Sequence, residues 1–126
     1  MKVLVVDNDI SRVKTICKAL RDRFQWPSVW MAQDAQEAIK ILWQLKDTHW
    51  DFVFLDHHPE ASDQAAGRNG EKVAMAMREI GVKAKRVVIQ SANPDEAEKL
   101  QGILNPLYRV VRATFPDSLD AIAALR

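Results

Sequence analysis

FVFLD, residues 52–56, places a carboxylate directly after four apolar residues. A short and continuous apolar run of this kind is typical of a strand that is buried on both faces of a parallel sheet. The run predicts that Asp56 lies at the carboxyl end of such a strand. An acid fixed to a strand end cannot cap a helix that starts some distance later in the chain, so Asp56 is the first candidate for chemistry.

The same pattern recurs along the chain. Further runs that predict strands occupy residues 3–6, 28–31, 86–89 and 109–111. Apolar residues at helical spacing follow each run, and Asp34 with Glu37, Asn93 and Pro116 mark helix starts, while Gly81 marks a helix end. Five strand–helix units predict an α/β fold, a five-stranded parallel sheet with helices on both faces, because the crossovers between parallel strands are right-handed.

The composition of the chain argues against several classes of function. The chain has 126 residues and a formal net charge of +1, which argues against nucleic-acid binding through bulk charge. It has one cysteine, Cys17, so no internal disulfide is expected, and no apolar stretch approaches the roughly 20 residues of a membrane span. Residues 1–126 are therefore predicted to form a single domain without an output domain, in the cytoplasm and without a membrane partner. The four tryptophans are interpreted as packing residues.

The predicted strand ends bring several polar side chains to one edge of the sheet. Ligands bind beyond the carboxyl ends of parallel strands, at the point where the strand order reverses. The residues found there are Asp7, Asn8 and Asp9 after the first strand, Asp56 after the third, Ser91 after the fourth and Arg112 at the fifth. An all-oxygen set of this kind suits Mg²⁺, and His58 in the following loop is a further candidate ligand. Asp56 could then offer an oxygen to phosphorus while Ser91 and Arg112 stabilise the phosphoryl oxygens.

Each of these residues also has a purely structural interpretation. Asp7, Asn8 and Asp9 are of the types preferred as helix caps, serine commonly ends a strand, and most arginines are solvated. Only the joint pattern indicates a site. The polar stretch from His57 to Asn69 is predicted to be a loop that covers this crevice.

Four stretches of the chain, taken in order, resemble the receiver domains of two-component response regulators. They are 3–9 (VLVVDND), 52–56 (FVFLD), 88–92 (VIQSA) and 110–112 (VVR). The resemblance implies a flavodoxin-like sheet of order 2-1-3-4-5. It also implies Asp56 as phosphoacceptor, Asp7 and Asn8 at the acidic pair that holds Mg²⁺, Ser91 as switch hydroxyl and Arg112 in place of the lysine. A histidine kinase or a phosphotransfer protein would be the partner.

A narrower resemblance is to the cyclic-phosphate-processing receiver-like family, carried by residues 55–58 (LDHH), 70–74 (GEKVA), 91–94 (SANP) and 108–112 (YRVVR). The chain departs from the receiver pattern at several points, which include Ala113 in place of the usual proline and a longer stretch from Asp56 to Gly70. Asn8 replaces an acid, which weakens the expected Mg²⁺ binding, Arg112 replaces lysine, and the family's switch aromatic falls on Arg109 with Tyr108 one place away.

Two other functions remain open. The first is a degenerate receiver that acts as a protein-interaction module without phosphorylation, through a face that includes Glu98, Gln101, Arg109 and Ala113. The second is a small metal-dependent phosphoesterase. Residues 7–11 (DNDIS) fit the DxDx[ST] start of haloacid-dehalogenase phosphatases, and residues 56–58 (DHH) match a phosphoesterase signature. Both of these enzyme families are longer and carry further motifs.

Overall fold

The computed structural model describes residues 1–56, 64–91, 94–113, 117–120 and 122, of which 64–69 and 118 are described by their backbone alone. Its elements, in chain order, are β1 (Lys2–Val6), α1 (Ile10–Arg23), β2 (Ser28–Ala32), α2 (Ala35–Gln44), β3 (His49–Asp56), α3 (Gln64–Ile80), β4 (Lys83–Gln90), α4 (Pro94–Leu104), β5 (Val110–Arg112) and a 3₁₀ turn at Asp117–Leu119. No helix among these elements is both long and apolar enough to cross a membrane.

The five strands form one parallel sheet in the order β2-β1-β3-β4-β5. The fold class and the strand order predicted from the sequence are thus confirmed. The register aligns Val6 with Leu55 and Asp56 with Gln90, so the carboxyl ends of β1, β3 and β4 lie side by side. The strand order reverses between β1 and β3, which is where ligand crevices form in sheets of this type.

Burial on both faces of the sheet explains why the sequences of the central strands are continuous apolar runs. On one face, Val3, Val5, Phe52 and Phe54 pack against α1. On the other face, the alternating residues of the same strands pack against α2, α3 and α4. Because every second residue points to the opposite layer, a strand covered on both sides needs an apolar residue at every position.

The predicted helix boundaries follow from local chemistry. Asp34 caps α2 by accepting a hydrogen bond from the Glu37 amide at 2.8 Å, and the Glu37 carboxylate accepts one from the Gln33 amide at 2.9 Å. α3 ends at Ile80, and Gly81 follows with a φ of 78°, the left-handed conformation that glycine adopts most readily. The start of α2 and the end of α3 are therefore each set by residues within a few positions of the boundary.

Two expectations of the sequence analysis are wrong. Helix α3 begins at Gln64, so residues 64–69 are helical rather than part of a loop that runs to Asn69. Ala65 and Ala66 are strong helix formers, and their propensity outweighs the polar residues and Gly67, which are typical of a loop. Not all tryptophans pack in the core either: Trp50 is buried against a half-buried Trp30, but Trp26 is 90% exposed and Trp43 is 51% exposed. Residues 57–63 lie outside the described residues, and so does the predicted lid over the crevice in that stretch.

Candidate functional site

The candidate site lies where β1 and β3 end. Asp7 directly follows β1, and its amide donates to the Ala32 carbonyl of β2 at 2.9 Å, so the backbone holds it in the sheet. Its side chain is completely buried. Asp56 is the last residue of β3, and its side chain is 7% exposed. Two carboxyl groups are therefore held next to each other in a poorly hydrated pocket.

Arg12 on α1 fills the space between these carboxyl groups. Its Nε lies 2.9 Å from Oδ2 of Asp7, and its Nη2 lies 3.0 Å from Oδ1 of Asp7 and 3.1 Å from Oδ2 of Asp56. Its Nη1 lies 3.7 Å from the Asp9 carboxylate. The guanidinium thus forms a two-pronged pair with Asp7 and reaches Asp56 with the same group, a geometry that its planar fork allows and an ammonium would not.

The sequence analysis missed Arg12, although a signal was present. Side chains on a helix tilt toward its N-terminus, so a residue in the first turn of α1 leans back over the end of β1. A cation in that turn is unfavourable against the helix dipole unless acids lie close to it. Arg12 in the first turn, directly after Asp7 and Asp9, therefore indicates an ion pair. The hydrogen bond to Asp7 is the main cause that raises the pKa of Arg12 above its ordinary value.

Asp56 lies in an environment that disfavours its charged form. Its surroundings together raise its pKa from an ordinary value of 3.8 to about 8; burial is the largest cause of the rise, and the nearby charge of Asp7 is the next. Arg12 acts in the opposite direction, and its charge lowers the pKa of Asp56. Among the described residues of this pocket, the acidic groups therefore outnumber the guanidinium that pairs with them.

Asp9 and Asn8 have different surroundings, although they are neighbours in sequence. Asp9 is the N-cap of α1: its Oδ1 accepts from the amides of Ser11 at 2.9 Å and Arg12 at 3.2 Å. Its own amide donates to Asp7 at 2.8 Å. Asn8 is exposed. The capping interpretation of this segment thus describes Asp9, whereas Asp7 lies inside the pocket.

The remaining predicted residues lie at the ends of β4 and β5. Ser91 directly follows β4 and is buried, as is Gln90 before it. Arg112 ends β5 and aligns with Ile89, but its guanidinium donates to Gln101 at 3.1 Å and to the Pro94 carbonyl at 3.3 Å. The structure therefore places the Arg112 side chain against α4. His58, the remaining candidate metal ligand, lies outside the described residues.

Tyr108, which the receiver resemblance placed one residue from the switch aromatic, is buried before β5. Its hydroxyl lies 2.6 Å from the carbonyl oxygen of Val82 and 3.1 Å from that of Met77, and it donates to this pair. Burial raises the pKa of this phenol above its ordinary value. The ring therefore joins β5 to the end of α3 and the start of β4.

The arrangement of donors does not fit a divalent metal as it stands. Both oxygens of Asp7 and one oxygen of Asp56 already accept from Arg12, and Asn8 is exposed. Among the residues that the structure describes, no group of three histidine, cysteine or acidic side chains could hold a metal ion. In this arrangement the guanidinium stands where a cation between the two carboxylates would lie.

Searches against protein-family models and against curated proteins find no match. The narrower resemblance to the cyclic-phosphate-processing family stays a prediction for that reason, and the phosphoesterase alternative gains no support.

Solved structures do match the chain. A two-component response regulator from Legionella pneumophila is 12% identical with a TM-score of 0.67, and the match covers 98% of this chain and 95% of that one. A response regulator receiver protein from Burkholderia phymatum is 25% identical with a TM-score of 0.61, covering 94% and 87%. The Mn²⁺-bound form of another response regulator is 14% identical with a TM-score of 0.61, covering 96% and 88%. Together with the strand order and the strand-end acids, these likenesses show that the chain has the fold of a response-regulator receiver domain.

Proposed function

We propose that this chain is a cytoplasmic signalling domain of the receiver type, and that Asp56 accepts a phosphoryl group. The observation that carries the proposal is the position of Asp56. Its carboxyl group ends β3 at the reversal of strand order, next to the buried Asp7 and with only 7% of its side chain exposed. A nucleophile that the sheet holds in one place can meet a donor without the cost of ordering a flexible side chain.

The reaction is a transfer between two proteins, or between a small phosphodonor and the protein. An oxygen of Asp56 in its ionised form, whose fraction increases as the pH rises toward the pKa of about 8, forms a new P–O bond while the donor bond to phosphorus breaks. A phosphohistidine donor loses its P–N bond and leaves as imidazole after it takes up a proton, and acetyl phosphate loses a P–O bond and leaves as acetate. The product is an acyl phosphate on Asp56, and the donor partner is a histidine kinase or a phosphotransfer protein.

The guanidinium of Arg12 is suited to bind an incoming phosphoryl group near Asp56. Arg12 already donates to Asp56 at 3.1 Å, and a guanidinium binds phosphoryl oxygens through two parallel hydrogen bonds. Buried Ser91 stands at the end of the neighbouring strand, where its hydroxyl is a candidate donor to the same group. Mg²⁺, the predicted cofactor, would have to take the oxygens of Asp7 and Asp56 from Arg12.

Intact-mass spectrometry after treatment with acetyl phosphate tests the proposal, with and without MgCl₂. One phosphoryl adduct is expected on the wild-type protein and none on Asp56→Asn, because the amide offers no nucleophilic carboxylate. Asp22→Asn is the matched control, since it removes an exposed carboxylate that lies 3.2 Å from Lys18 on the same helix. An adduct that survives Asp56→Asn would place the chemistry elsewhere, with Asp7 the first residue to check.

A second candidate is an interaction module that keeps the fold but accepts no phosphate. The contacts of Arg112 favour it, because that side chain is engaged with α4 instead of reaching toward Asp56. The buried hydroxyl of Tyr108, held by two carbonyl groups, also favours a fixed rather than a switching β5. In this candidate the partner binds the face of α4 and β5, where Glu98 and Arg109 are exposed.

The same mass measurement separates the two candidates. An unmodified wild-type protein under conditions that phosphorylate a receiver of known activity supports the interaction module. Capture of a partner that is lost on charge reversal at Glu98 and Arg109, but kept in Asp56→Asn, would support it further.

A further inference from the structure

Arg12 contacts both carboxylate oxygens of Asp7. Oδ1 accepts from the Asp9 amide at 2.8 Å and from Nη2 of Arg12 at 3.0 Å, and Oδ2 accepts from Nε of Arg12 at 2.9 Å. The Asp7 side chain is fully buried, so water cannot replace these donors without opening the pocket. A metal ion that is to lie between Asp7 and Asp56 must displace the guanidinium, because the guanidinium already bridges these two side chains.

Arg12 also connects the acids that the sheet brings together. One nitrogen, Nη2, contacts Asp7 and Asp56, and Nη1 lies 3.7 Å from Asp9. A dication between Asp7 and Asp56 would lie within a few ångströms of this guanidinium, where like charges repel strongly in a poorly hydrated site. The guanidinium and a divalent cation therefore exclude each other.

The backbone of α1 holds Arg12 in place. Its amide donates to the Asp9 carboxylate at 3.2 Å as part of the helix cap, and the side chain leans from there toward the end of β1. The side chain is only 20% exposed. If Arg12 left the pocket, it would lose three side-chain hydrogen bonds, and the poorly hydrated carboxyl groups of Asp7 and Asp56 would lose this cation. The arrangement with Arg12 between the two carboxyl groups is therefore strongly favoured.

We propose that Arg12 is the resident cation of this pocket, and that it replaces a divalent metal and blocks metal binding in the wild-type chain. Removing its charge turns the pocket into a metal site. Mg²⁺ is commonly held by one or two carboxylates together with several waters, and Asp7 and Asp56 supply two. The inference deepens the proposed function by assigning the cation of the same site. It does not depend on phosphorylation, because it concerns the metal alone.

The test is a titration of the full chain with MgCl₂ in the absence of any phosphodonor, followed by calorimetry and by thermal melting. Arg12→Met keeps an unbranched apolar stem and removes the charge. It is expected to bind Mg²⁺ at least tenfold more tightly than the wild-type protein and to melt at a higher temperature when Mg²⁺ is added. Lys14→Met, an exposed position on the same helix, is the matched control and is expected to bind as the wild type does.

Mn²⁺ locates the site in the same proteins. Its unpaired electrons are expected to broaden the amide signals of Asp7, Asp9 and Asp56 in Arg12→Met and not in the wild type. Arg12→Gln provides a second variant if Arg12→Met does not fold, because it removes the charge and keeps an amide N–H donor for the carboxyl groups. It is expected to bind Mg²⁺ more tightly than the wild type. Equal Mg²⁺ affinity in wild type and in the folded Arg12 variants, or broadening of these amides in the wild type, would overturn the proposal.

Discussion

Replacement of Asp56 by asparagine is expected to change how stability depends on pH. The pKa of Asp56 is raised from 3.8 to about 8 in the folded protein, chiefly by burial and then by the charge of Asp7. A carboxyl group that holds its proton more tightly in the folded than in the unfolded state stabilises the fold while it is protonated. That contribution is fully present below about pH 4 and is lost as the pH rises through about 8. Asp56→Asn has no proton to lose there.

The size of the effect follows from the two pKa values. The difference between 3.8 and about 8, at 1.36 kcal/mol per pH unit, corresponds to about 6 kcal/mol. Near pH 4 the protonated acid and the amide have similar shape and no charge, so the two proteins should be similarly stable. At pH 9 the variant is expected to be more stable than the wild type by an amount that approaches this figure. The pKa of about 8 already includes the lowering by the charge of Arg12, whose Nη2 lies 3.1 Å from Asp56.

Urea unfolding of both proteins at several pH values between 4 and 9 measures this difference directly. Asp22→Asn is the control for removing a carboxylate, because Asp22 is exposed and its pair with Lys18 is a surface pair. The two stability curves should separate as the pH rises. If the two curves run parallel over the whole range, the pKa of Asp56 is not raised in the folded protein. A variant that is much less stable at every pH would make Asp56 a structural residue.

Two further predictions concern the same pocket and the packing behind it. Asn8→Asp in the Arg12→Met background is expected to tighten Mg²⁺ binding severalfold in calorimetry, since it adds a carboxylate beside a dication. Unchanged affinity would place residue 8 outside the metal's surroundings. Tyr108→Phe is expected to lower the free energy of unfolding by about 1–3 kcal/mol in urea, because the Val82 carbonyl loses the hydroxyl donor that lies 2.6 Å from it. A negligible loss would show that the hydroxyl is dispensable.

The sheet could be predicted from the sequence because its signal is local. A strand covered on both faces must be apolar at nearly every position. Residues 52–55 are all apolar, so they predict such a strand without reference to the rest of the chain. The caps at Asp34 and Gly81 are equally local, since each depends on the backbone within a few residues. Right-handed crossovers then leave few ways to order five strands. The start of α3 was misplaced because short polar stretches with glycine carry no comparable signal.

The strand-end position of Asp7 and Asp56 was equally predictable, because parallel strands finish at the same edge of a sheet. The sequence did not show which cation pairs with these two acids. The first-turn position of Arg12 indicates an ion pair with nearby acids, but neither this position nor that of Arg112 at a strand end shows which arginine reaches both Asp7 and Asp56. Only the three-dimensional arrangement decides that α1 directs Arg12 between the two carboxyl groups while α4 holds Arg112 away. The sequence by itself determined the sheet and the acids at its edge, and tertiary packing selected the charge that fills the space between them.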